Sequence, residues 1–253
     1  MKKTLITLLA LAGVATAGEV FNLSTAGAPD KGDAVVSNGT ITPSASNWET
    51  FDYAKYALDE AITLSAPADT LDFSFTVNRP HAIHGSDTVE KSLTTLTFAL
   101  TGGGQAIIVG HNNETSYEAS AAELQVGTSS SIGDYGYIFR SGNKDECIGV
   151  SASKSLNGGM PFDTSTITGQ IAWNTTNSVF TLTLTSSAWT NNEALQFDLG
   201  ESVTVDNIVF SVNGVDTPSF TAASVSANLV PEPTTATLSL LALAGLAARR
   251  RRK

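Results

Sequence analysis

Apolar and polar residues alternate one by one along most of this chain, and a period of two commits it to β-strands with one face buried. Leu71, Phe73, Phe75 and Val77 fall on one side of an extended segment, with Asp72, Ser74 and Thr76 on the other. The same alternation recurs in Leu96, Phe98 and Leu100; in Tyr135, Tyr137 and Phe139; and in Ile167, Gly169, Ile171 and Trp173. It returns in Phe180, Leu182 and Leu184; in Leu195, Phe197 and Leu199; and in Val203 and Val205. Residues 20–23, 61–64, 105–109, 146–150, 208–212 and 219–229 are further strand candidates.

Turn residues punctuate these runs. Gly102-Gly103-Gly104, the stretch from Asn174 to Asn177, and Asn213-Gly214 each read as a hairpin connection. The one helical candidate is 116–125, a short helix or a loop. About a dozen short strands without a long amphipathic helix predict an all-β fold, an antiparallel two-sheet sandwich of the jelly-roll kind. No Pro/Ser-rich linker interrupts 19–228, so a single domain over residues 18–229 is expected.

Charge narrows the partners. Of 14 basic residues, 7 stand at the ends (Lys2, Lys3, Arg249 to Arg252 and Lys253), and of 24 acidic residues only Glu232 lies outside 18–230. The body therefore holds 14 − 7 = 7 basic and 24 − 1 = 23 acidic residues, a net of −16. A surface of that sign repels phosphate backbones, which argues against nucleic acid as a partner. Cys147 is the single cysteine, so no internal disulfide and no cysteine-based metal cluster can form, and its apolar neighbours suggest a buried, inert thiol.

Both ends carry address signals. Met1-Lys2-Lys3, an apolar run over 5–17, and Ala15-Thr16-Ala17 supply the orienting charge, the inserting helix and the small-residue protease site of a signal peptide. Residues 1–17 are read as that peptide, cut after Ala17, with Ala15 and Ala17 as the recognised small residues. At the other end Pro231-Glu232-Pro233 stops any preceding strand, an apolar run covers 236–248, and Arg249, Arg250, Arg251, Arg252 and Lys253 close the chain. Thirteen helical residues reach about 20 Å, short of the roughly 30 Å hydrocarbon core, so a transmembrane helix over 236–248 needs the flanking residues and snorkelling arginines to span. The basic end would stay on the cytoplasmic side.

Pro231-Glu232-Pro233, the apolar segment and the arginine-rich end together resemble the PEP-CTERM sorting signal of Gram-negative bacteria. The resemblance covers residues 230–253. It implies signal peptidase and export machinery as partners, recognition by an exosortase-like membrane protease, and an exported protein that is anchored at the inner membrane before reaching the cell surface or extracellular matrix. A permanent single-span anchor is the alternative. The body resembles concanavalin-like and laminin-G-like jelly rolls in size and strand number, which implies that the strand near Val20 lies beside the one near Val225.

Candidate chemistry in the body is sparse. His81 and His84 could approach a metal together, with Asp87 three residues farther on and a spacing that suits a turn, but a polar loop after the strand ending at Val77 is the ordinary reading. Asp30, Asp33, Asp134, Asp145 and Glu146 leave structural calcium between loops open, with ligands unassigned, and no other cofactor is expected. A glycosidase needs two carboxyls facing each other across a cleft, but Asp69 and Asp72 are three apart on opposite strand faces, and no Gly-x-Ser-x-Gly elbow is present. The expected function is therefore a non-catalytic surface protein that binds or scaffolds extracellular polysaccharide. Trp189 with Asn191 and Asn192, and Trp48, are the candidate sugar-stacking and hydrogen-bonding residues, while Trp173 is assigned to the core. A polysaccharide-active hydrolase or lyase on the same sandwich, or a purely structural matrix protein, are the alternatives. Asn38-Gly39-Thr40, Asn113-Glu114-Thr115 and Asn174-Thr175-Thr176 match the glycosylation acceptor pattern but read as turns.

Overall fold

The computed structural model describes residues 16–45, 47–78, 95–112, 122–129, 152–160, 164–187, 194–214 and 217–230. In chain order the strands are β1 (Thr16–Asn22), β2 (Lys31–Gly32), β3 (Val35–Ser37), β4 (Thr40–Thr42), β5 (Asn47–Leu64), β6 (Thr70–Asn78), β7 (Thr95–Gly102) and β8 (Gln105–Asn112). They continue as β9 (Ala122–Ser129), β10 (Ala152–Met160), β11 (Thr164–Asn174), β12 (Val179–Ser186), β13 (Leu195–Gly200), β14 (Val203–Gly214) and β15 (Ser219–Leu229).

They form two antiparallel sheets. One has the order β13-β12-β11-β6-β15-β4-β3, with β1 also paired to β15, and the other runs β10-β9-β8-β7-β14-β5-β2. The chain changes sheets between β1 and β2, β2 and β3, β4 and β5, β5 and β6, β6 and β7, β10 and β11, β13 and β14, and β14 and β15. The expected adjacency of the first and last strands holds, with Phe21 opposite Val225.

The alternation sets the core. In β6 the pattern is strict, so that Leu71, Phe73, Phe75 and Val77 are buried while the residues between them face outward. Five phenylalanines bridge the sheets: Phe73 and Phe75 of β6 lie 5.0 and 4.8 Å from Phe98 of β7, which meets Phe210 of β14 at 5.4 Å, and Phe210 meets Phe220 of β15 at 5.2 Å. Such ring pairs each add about 1 kcal/mol beyond the area they bury. Trp173 packs at the margin of this core, edge-on to Phe180.

Gly102-Gly103-Gly104 makes the β7–β8 hairpin, where Gly103 and Gly104 have φ of 59° and 81°, the left-handed pair a tight two-residue turn demands. The turn from Asn174 joins β11 to β12, and Asn38-Gly39 joins β3 to β4.

Three expectations are corrected. Asn213-Gly214 is no hairpin, because β14 and β15 belong to different sheets and Gly214 pairs with Asn47 of β5. The short helix over 116–125 is replaced from Ala122 onward by strand β9, which pairs with β8 and β10; 113–121 lies outside the described residues. The expected terminal helices fall almost wholly outside the described residues, at 1–15 and 231–253; Thr16 and Ala17 are strand, and the described residues contain no helix. The transmembrane helix is corrected likewise, since no helix among the described residues is long and apolar enough to cross a membrane, in keeping with an apolar run too short to span unaided.

Candidate functional surfaces and the sorting junction

The outward face of the eight-stranded sheet is built from short hydroxyl and amide side chains brought into register by the ladder. Ser224, Ser74, Thr168 and Thr185 lie side by side across β15, β6, β11 and β12. The next row is Ser226, Asp72, Gln170, Thr183 and Gln196, and a third holds Thr221, Thr76 and Thr166. Each row follows from one sequence fact, the small polar residue between successive apolar ones. Neighbours are linked: Thr76 and Thr166 hydroxyls at 3.0 Å, Ser74 and Ser224 at 3.3 Å, and Gln170 Nε2 donating to Asp72 Oδ1 at 2.7 Å. Asp198 accepts from Thr181 at 2.7 Å and from Asn177 at 3.0 Å. No Lys or Arg stands in these rows. Successive outward residues along a strand are about 6.8 Å apart and strands about 4.8 Å apart, so the face is a regular polar lattice.

The outward face of the seven-stranded sheet has a different character. Ala99, Ala106, Ile108 and Val209 form a second apolar cluster with Tyr53 against it. Thr97, Thr101 and Ser211 point to the same side and are buried, their hydroxyls without a hydrogen-bond partner.

A third feature lies where the chain enters and leaves the sandwich. Because β1 runs antiparallel to β15, the start of one meets the end of the other: Thr16 is opposite Leu229 and Ala17 opposite Asn228. The expected signal-peptide cut and the expected sorting segment therefore flank the same strand pair. Asp69 sits beside it, in the link from β5 to β6, and is 3% exposed. Its Oδ2 accepts from the amides of Ser65 at 2.9 Å and Ala66 at 2.7 Å, while Oδ1 accepts from Val230 at 2.9 Å. Burial by itself would raise the Asp69 pKa, but the three amides favour the carboxylate and the net shift is downward.

The structure brings none of the expected sugar-binding residues together. Trp189, Asn191 and Asn192 lie outside the described residues, as do Pro231, Glu232, Pro233, Arg249, Arg250, Arg251, Arg252 and Ala15. Trp48 is placed on β5 by its backbone only. His81, His84, Asp87, Asp134, Asp145, Glu146 and Cys147 also fall outside. Of the calcium candidates described, Asp30 accepts from the Ala57 amide and Asp33 from the Tyr53 amide, so both tie the segment around β2 to β5. Among the described residues no three His, Cys, Asp or Glu side chains gather as a metal site would require. Asp69 escaped the sequence reading because its partners are main-chain amides, one of them 161 positions away.

In comparisons with known proteins, residues 229–253 match the PEP-CTERM protein-sorting motif. No curated protein matches the sequence. Among solved structures the chain is similar to the winged bean acidic lectin complexed with methyl-α-D-galactose, at 12% identity, covering 84% of this chain and 99% of the lectin with a TM-score of 0.47. It is also similar to lectin I-B4 of Griffonia simplicifolia, at 16% identity over 79% of this chain and 92% of that one, with a TM-score of 0.43. The sandwich assignment rests on the strand pairing above. The matched motif begins at Leu229, the last residue of β15, and implies export and processing by an exosortase. The chain thus carries a PEP-CTERM protein-sorting motif at the end of an all-β sandwich, an address for export, transient membrane anchoring and sorting to the cell surface.

Proposed function

We propose that the sorted body is a non-catalytic module that binds or scaffolds extracellular polysaccharide. The observation that carries this reading is the registered lattice of hydroxyl and amide side chains on the eight-stranded sheet. Hydroxyls both donate and accept, amides do the same through separate atoms, and sugar hydroxyls need such partners. Each contact is weak against water, so affinity would come from many rows engaging one polymer. The two carboxylates named on this face, Asp72 and Asp198, are held by Gln170, Thr181 and Asn177, which suits binding better than proton transfer.

The test is binding of the purified body, residues 18–230, to an array of bacterial and host polysaccharides, with calcium and with chelator. Saturable binding to one glycan class, weakened at least tenfold in a Thr168→Ala, Gln170→Ala, Thr183→Ala variant, supports the lattice as the binding face. Binding lost only in Trp189→Ala moves the site to the segment around Trp189, and loss on chelation adds calcium as a partner. Absence of binding to every glycan overturns the reading in favour of a structural coat.

A further inference from the structure

We propose that Asp69 is the positioning residue that fixes where the folded body ends and the sorting segment begins, by pinning the Val230 main chain to the link between the two sheets. The proposal rests on the reading of 229–253 as a sorting signal, and two observations carry it. The first is the latch. Asp69 is held by the amides of Ser65 and Ala66, and its own amide donates to Ala66 O at 2.9 Å, so the carboxylate is fixed on a short link whose flanking strands belong to opposite sheets. Its remaining oxygen takes Val230, the residue before Pro231. Proline has no amide hydrogen, so Pro231 can donate no ladder bond.

The second observation is the strand pairing that the signal-peptide cut expected after Ala17 would take away. On one side β15 pairs with β6 as far as Asn228 opposite Thr70; on the other, Asn228 and Leu229 pair with Ala17 and Thr16. A cut after Ala17 removes both partners on the β1 side. Leu229 then has no ladder partner among the described strands and is held by the packing of its side chain against the core, and the Val230 amide is tied to the body through Asp69. The latch that is redundant in the uncut chain becomes the terminal fastening of the mature one, and a membrane protease acting beyond it meets a substrate whose folded edge is fixed.

The experiment uses the full chain in mild detergent, both from Met1 and from Gly18, as wild type, Asp69→Ala, Asp69→Asn and Gly169→Ala. Gly169→Ala lowers stability at a site remote from Val230 and so controls for general loosening. Limited proteolysis with a non-specific protease, read by intact mass, should leave a wild-type core that retains Val230. The Asp69→Ala core of the chain from Gly18 should be trimmed upstream of Leu229, under conditions where Gly169→Ala keeps Val230. Hydrogen exchange in the peptide ending at Val230 should be at least tenfold faster in Asp69→Ala. Asp69→Asn, which keeps an acceptor oxygen, should fall between, and the chain from Met1 should be less affected. Equal core boundaries and equal exchange in Asp69→Ala and Gly169→Ala would overturn the latch. In a host that processes such tails, an uncut wild-type C-terminus would overturn the sorting reading alone, because the proteolysis result does not depend on it.

Discussion

Adding one methyl group at Gly169 should cost about as much as removing a large apolar side chain from this core. Gly169 of β11 lies directly opposite Phe73 of β6, and the ring of Phe73 covers it. A Cβ built there would sit 2.1 Å from Phe73 Cζ and within 2.6 Å of two further ring carbons. Ordinary contact starts at 3.4 Å, so the ring would have to retreat by 3.4 − 2.1 = 1.3 Å. Behind it stands Phe98 of the other sheet, ring centres 5.0 Å apart, and Phe73 is 2% exposed. The retreat therefore pushes on the column that joins the sheets. Overpacking of this kind costs about 3 kcal/mol, which for a domain of this size lowers Tm by about 9 °C. Urea denaturation of Gly169→Ala should show a lower midpoint with an unchanged slope. Phe73→Leu alone should cost about 2 kcal/mol through the cavity it opens. Combined with Gly169→Ala it should cost about 3 kcal/mol and not the additive 5, because the leucine leaves the space the new methyl needs. Strict additivity, or a Gly169→Ala protein within about 0.5 kcal/mol of wild type, would refute the packing argument.

Three further outcomes follow from single residues. Asp69 has its pKa lowered in the folded state, so its contribution is present above the ordinary carboxylate value of 3.8 and is lost as pH falls through the folded value; the stability gap between wild type and Asp69→Asn, measured by urea titration at several pH values, should be constant near neutrality and close below about pH 4. Ala222 holds φ of 51° at a bulge in β15 and is exposed, so Ala222→Gly should relieve the strain and raise stability by about 0.5 kcal/mol in a denaturant midpoint, whereas a loss would show that the bulge is unstrained. Tyr56 packs against Phe21 and Phe210 with its buried hydroxyl unpartnered, and burial, then the Asp30 charge, raise its pKa above 10.0. Tyr56→Phe should therefore be neutral or stabilising by up to about 1 kcal/mol, and a calorimetric loss of more than that would reveal a partner for the phenol.

What the sequence determined by itself was local. A period of two forces residues such as Leu71, Phe73, Phe75 and Val77 onto one face, and that alone specifies strands, an all-β class and most of the core. The sorting motif was legible for the same reason, since its triplet, apolar run and basic end are contiguous. β5 was legible only at its end, because Asp52 occupies an inward position and is satisfied there by the Ser44 amide, a bond that only the fold supplies. Pairing was legible only across the tight turns at Gly102-Gly103-Gly104 and 174–177: Asn213-Gly214 has the same hairpin composition, yet it lies on a path from one sheet to the other. The polar lattice was not legible, since its rows join residues as distant as Ser74 and Ser224. Only the tertiary structure decided that Asp69 would meet Val230, whereas the adjacency of the first and last strands was already implied by the jelly-roll resemblance. Periodicity acts between neighbours along the chain, whereas register is set by which strands bury their faces together, and that depends on the whole core at once.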